Sequence, residues 1–111
     1  MFFMLAIMIQ YVIILIIMKP LYKAPFRKFV KKQPWVFQLI IEDEVEKIST
    51  TPALGTTKKG DLLQFQVHKF LHKGQEYLMA YRWEENVLFF YMIGSHENFY
   101  RDLKRYVKEV R

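Results

Sequence analysis

The 111-residue chain has no cysteine. That excludes a disulfide framework, a thiolate metal site and a cysteine nucleophile. Histidine is scarce too. His68, His72 and His96 are the whole set, without the HExxH-type spacing of catalytic zinc, so no metal and no cofactor is expected. Acidic side chains number 11 against 17 Lys and Arg, a formal charge of +6. A field of that sign attracts phosphate, acidic protein surface or anionic lipid, and says nothing about fold. The length suits one domain with a modest core.

The N-terminus departs from this pattern. Residues 1–18, "MFFMLAIMIQYVIILIIM", contain one polar side chain, Gln10, and no charge. This approaches the roughly 18 to 20 apolar residues of a spanning helix. Three readings stay open: a membrane anchor, an assigned start upstream of a true one at Met18, or an apolar helix covered by protein. For an anchor, the basic residues that follow (Lys19, Lys23, Arg27, Lys28) place the folded part in the cytoplasm. A secretory signal fits poorly, because a basic n-region and a small-residue cleavage site are both missing. Residues 1–17 are therefore treated as an apolar extension and 18–111 as the folded domain.

"APFRKFVKKQ" places Phe26, Phe29 and Val30 at i, i+3, i+4 among Arg27, Lys28, Lys31 and Lys32, which predicts a short basic amphipathic helix. Pro34 opens a second helix through "WVFQLIIEDEVEKIST", with Trp35, Leu39 and Val45 on the apolar stripe and an acidic far end. A Thr-, Gly- and Lys-rich loop follows over residues 50–61. The period then changes to two. Leu63, Phe65 and Val67 alternate with Gln64, Gln66 and His68, and Tyr77, Met79, Tyr81 and Trp83 alternate with Leu78, Ala80 and Arg82. "HKG" and "EEN" are turns, and the continuous apolar run "VLFFYMI" predicts a central strand covered on both faces. The expected fold class is α+β: an N-terminal helical hairpin on a small antiparallel sheet of three or four strands, then a C-terminal helix.

That last helix holds the candidate chemistry. Ser95 is the natural N-cap, and at about 100° per residue Phe99, Leu103, Tyr106 and Val110 form the core stripe. His96, Tyr100 and Lys104 then align at i, i+4, i+8. The positive end of the helix dipole favours a neutral imidazole at His96, able to accept or donate a proton. A titratable group, a phenol and a cation on one track suit metal-free phosphodiester cleavage, in which a 2′-hydroxyl attacks the adjacent phosphate. His68, Lys69 and Arg82 on the sheet complete a cradle. Charge on a terminal helix is also ordinary, and on spacing alone a solvated face is the stronger reading of the track.

The stretches "TTKKGDLLQFQVHKF", "GQEYLMAYRW" and "VLFFYMIGSHENFYRDLKRY" resemble toxins of the RelE/ParE superfamily of type II toxin–antitoxin systems, in the ParE-like branch with a "GxHENFYRDLK" ending. The likeness covers about residues 21 to 108 and leaves out 1–17. It implies a toxin neutralised by a cognate small antitoxin. RelE-like members are ribosome-dependent endoribonucleases that cut mRNA, so the resemblance implies an mRNA interferase with His96 and Tyr100 as catalytic residues. His68, Lys69, Arg82, Arg101 and Lys104 would hold the phosphates. ParE members instead bind and poison DNA gyrase. The chain departs from the RelE pattern at Leu78, where those enzymes carry Arg in the second strand, so Arg82 would serve instead.

Overall fold

The structure, a computed structural model describing residues 4–8, 18–62 and 64–110, runs β1 (Lys19–Tyr22), α1 (Ala24–Lys31), α2 (Trp35–Thr50), β2 (Thr56–Thr57), β3 (Gln66–His72), β4 (Gln75–Glu84), β5 (Val87–Ser95) and α3 (His96–Glu109). Short 3-10 turns lie at Pro52–Leu54 and Gly60–Leu62.

Local turn chemistry builds the centre of the sheet. Lys73 and Gly74 have φ of 51° and 78°, the primed geometry whose twist matches two paired strands. They close the β3–β4 hairpin, and Glu85 at φ 52° enters the turn into β5. The three long strands pair antiparallel, as their alternation predicts.

The sheet has five strands, in the order β1-β5-β4-β3-β2, and not the three or four expected. The unforeseen member is β1, "KPLY", which runs parallel to β5. It is short and interrupted by Pro20, so nothing local announces a strand. Its partners are distant: the Lys19 N–H donates to the Asn86 carbonyl and the Lys23 N–H to that of Phe90, each at 2.8 Å. Pro20 is tolerated because an edge strand can spare a donor.

Helices cover both faces. On one, Phe26 of α1 and Phe37, Ile41, Val45 and Ile48 of α2 pack with Phe70, Met79, Tyr81, Leu88, Phe90 and Ile93. On the other, Phe99, Leu103 and Val107 of α3 pack with Leu62, Phe65, Val67, Leu78, Ala80 and Tyr91. Both α1 and α2 turn their apolar faces to the sheet. Gln38 bridges them by donating to the Val30 carbonyl at 2.8 Å, which satisfies a helix-end acceptor.

Two apolar stripes differ from expectation. In α2 the core residues are Phe37, Ile41, Val45 and Ile48, whereas Trp35 and Leu39 are 70% and 41% exposed. "WVFQLII" is apolar all round, so several stripes fit the helical period. Phe37 decides between them through ring contacts at 4.4 Å with His72 and 4.8 Å with Tyr77. In α3, Val107 is buried in place of Val110, and Tyr106 is half-buried.

Among the described residues no helix is long and apolar enough to cross a membrane. Residues 1–3 and 9–17, on which most of the spanning reading rests, lie outside the described residues, as do Leu63 and Arg111.

Candidate functional site

The site lies on the α3 face, at the end of the sheet where β5 passes into the helix. Ser95 takes the N-cap position with extended backbone (φ −72°, ψ 158°), although its hydroxyl makes no capping bond. Glu97 supplies the first-turn negative charge that the dipole favours. His96 is exposed in that first turn. Its ring stands edge-to-face with Tyr100, centroids 6.2 Å apart and planes at 80°. Tyr100 is half-buried and held in turn by Phe99, edge-on at 5.2 Å.

The cation at Tyr100 is one that sequence reasoning missed. Lys58 lies with its ammonium 5.2 Å from the centre of the Tyr100 ring, within cation–π range. It arrives from the loop before β3, which a buried phenol fixes in place. Tyr81 has no solvent exposure. Its hydroxyl donates to the Pro52 carbonyl at 2.6 Å and accepts the Gly55 N–H at 2.8 Å. Burial raises the Tyr81 pKa, and the Gly55 N–H partly offsets the rise. Gly55 is required by space: a Cβ there would lie 2.9 Å from the Tyr81 hydroxyl and 3.0 Å from the Val67 carbonyl. The pinned loop then pairs with β3, the Lys58 N–H donating to the Phe65 carbonyl at 3.0 Å.

Lys69 shares this face and this end. It is exposed, lies two residues beyond the buried Val67 on the same face, and stands in one cross-sheet row with Leu78 and Gly94, just before His96. Leu78 is fully buried under α3 as a core residue. Lys104 is exposed one turn beyond Tyr100.

The other candidates lie apart. Arg101 is exposed and pairs loosely with its neighbour Asp102, N to O 3.4 Å. Arg82 is on the α3 face but toward the helix's other end, where it lines a concavity with Tyr106, Val107 and Val110. His68 is on the opposite face, beneath α2. Its Nε2 is 2.8 Å from Glu44 Oε2, and Lys47 lies 3.1 Å from the other carboxylate oxygen. The structure thus gathers His96, Tyr100, Lys58 and Lys69 and does not join His68, Arg82 or Arg101 to them. The loop's basic "TTKKGD" was the only sequence signal for Lys58. Among the described residues no group of three His, Cys, Asp or Glu side chains could hold a metal ion.

An exposed imidazole, a phenol and a lysine ammonium meet beside a sheet end on a five-stranded α+β scaffold. The chain belongs to the ParE-like toxin family of type II bacterial toxin–antitoxin systems, whose profile matches residues 21–104. Its fold is similar to that of an arginine-substituted variant of Escherichia coli RelE toxin in the free state, with TM-score 0.65, 13% identity, and coverage of 85% of this chain and 98% of that one. It is also similar to the E. coli RelBE toxin–antitoxin complex (TM-score 0.59, 15% identity, 72% of this chain and 98% of that one). The isolated E. coli RelE toxin matches at TM-score 0.57 and 14% identity, over 85% of this chain and 99% of that one. A comparison with curated protein sequences finds no match.

Proposed function

We propose that the chain is a ribosome-dependent mRNA endonuclease that arrests translation in the cytoplasm. The observation that carries this reading is the His96–Tyr100 pair with Lys58 over the Tyr100 ring. Cleavage through a 2′-hydroxyl needs a base, an acid and a cation at the phosphate, and no metal. His96, open to solvent at the sheet end, moves the proton. Tyr100 orients the attacking hydroxyl, and Lys58, Lys69 and Lys104 hold the phosphoryl oxygens. The RelE-like fold supports this reading.

A cognate antitoxin is part of the proposal, in keeping with the E. coli RelBE toxin–antitoxin complex among the structural neighbours. The surface for it is the α1–α2 side, which carries a cleft of about 460 Å³ lined by Phe26, Arg27, Val30, Lys31 and a single acid, Glu42, and on which α2 also exposes Trp35, Val36 and Leu39. An acidic segment that orders on binding matches that charge.

The ParE-like family match favours a second reading, a gyrase inhibitor without chemistry of its own. Toxin induction separates the two. Fragmented transcripts with normally supercoiled plasmid support cleavage; intact transcripts with relaxed or broken plasmid support gyrase poisoning.

A further inference from the structure

Arg82 and Lys23 approach one aromatic ring from different elements. The register between β4 and β5 shifts after Ala80, which pairs with Met92, while Tyr81 pairs with Phe90. Tyr91 is left as an extra residue, a bulge that re-aims its side chain onto the α3 face. The Arg82 guanidinium carbon lies 5.4 Å from the Tyr91 ring centre. The Lys23 ammonium lies 5.6 Å from the same centre and 5.2 Å from that of Phe89. Phe65 and Tyr106 stand edge-on to Tyr91 at 4.8 and 6.4 Å.

Among the described residues no carboxylate lies within ion-pair distance of Lys23 or Arg82. Arg82 spends one terminal nitrogen on the neutral Gln64 amide at 2.8 Å, and its Nε is buried with no partner. A buried guanidinium donor left unmatched is costly, and such a group marks a place for an absent acceptor. Space lies beside it: Lys23, Phe65, Arg82, Tyr91, Tyr106 and the Val107–Val110 turn line an open concavity of about 370 Å³. That is within the roughly 300–1,000 Å³ of small-molecule sites.

We propose that this concavity, formed by β4, β5 and the last turn of α3, binds a phosphate ester, with Arg82 and Lys23 on the phosphate and Phe65, Val107 and Val110 against its organic part. Two cations without an ion-pair partner among the described residues match the roughly two negative charges of a phosphate monoester, and a planar guanidinium matches its oxygens. The apolar wall favours an ester over free phosphate. A nucleotide carries the phosphate as a monoester and an RNA strand carries it as singly charged diesters, and either can supply the ester. The inference concerns binding alone and does not rest on the cleavage reading.

Isothermal titration of the purified full chain with uridine 5′-monophosphate, a short oligoribonucleotide and inorganic phosphate tests it. The ester ligands should bind more tightly than inorganic phosphate, and R82Q and K23Q should each weaken them about tenfold. K28Q, which removes an equal charge from the exposed side of α1, should leave binding unchanged. Mononucleotide binding identifies a nucleotide site; binding of the oligonucleotide alone identifies a strand site. Should R82Q not fold, as judged by circular dichroism, K23Q at the start of α1 carries the test. Absence of ester binding, equal losses in K28Q and K23Q, or equally tight displacement by a glutamate-rich peptide would overturn the assignment.

Discussion

Lys58 and Tyr100 meet because Tyr81 holds the loop between them and the core. Removing the charge in Lys58→Met forfeits a cation–π contact of about 0.5–1 kcal/mol. Cleavage should fall by more than that small stability loss implies, since the same ammonium is assigned to the phosphate; equal losses in denaturation and cleavage assays would make Lys58 structural only. Tyr81→Phe removes both hydroxyl bonds and leaves the Gly55 N–H and Pro52 carbonyl without them, a cost of about 1–3 kcal/mol. The pH dependence has a definite sign. Burial raises the Tyr81 pKa above 10.0 in the folded chain, so its contribution is fully present below 10.0 and is lost as pH rises through the raised value. Tyr22, raised by burial and then by Glu42, acts in the same direction. Urea unfolding from pH 7 to 11 should show falling stability above pH 10, with a shallower fall in Tyr81→Phe. At this scale, helical spacing shows the His96–Tyr100 pair. It cannot show Lys58 or the Glu44 partner of His68, because both contacts join segments far apart in sequence.

At the scale of elements, α2 carries a polar lock within an apolar face. Glu44 is the one buried charged residue among those described, and it meets both His68 of β3 and Lys47 of its own helix. Glu44→Ala should cost about 1–3 kcal/mol in chemical denaturation, since His68 loses its partner under the helix. Lys47→Ala, at the exposed end of the network, should cost no more than about 1 kcal/mol. The reverse order would place the stabilising contact in the surface pair. The hairpins β3–β4–β5 are legible from sequence because alternation and two-residue turns are local. The strand β1 is not, since a proline-interrupted tetrapeptide becomes a strand only through β5. The burial of α2 is likewise hidden when the whole first half of a helix is apolar.

For the whole molecule, two apolar clusters lie on opposite faces of one sheet, and the proposed function gives each face its own role. The α1–α2 side offers exposed Trp35, Val36 and Leu39, while the α3 side carries the cationic site. Among the described residues, every core side chain of the two clusters falls between Phe26 and Val107, and Met18 adds a partly buried contact. A chain started at Met18 should therefore keep its fold, with a thermal midpoint within a few degrees of the full chain; an aggregated product would give residues 1–17 a structural role.

The central claim is that His96 and Tyr100 cleave RNA. Primer extension on cellular mRNA after induction tests it most directly, comparing the native chain with a His96→Ala, Tyr100→Phe double variant of equal folded yield. The native chain should produce new 5′ ends within coding regions, and the variant should lose at least about a hundredfold of that signal, the scale of removing acid–base catalysis. Unchanged transcripts with the native chain, or undiminished cleavage by the variant, would contradict the account.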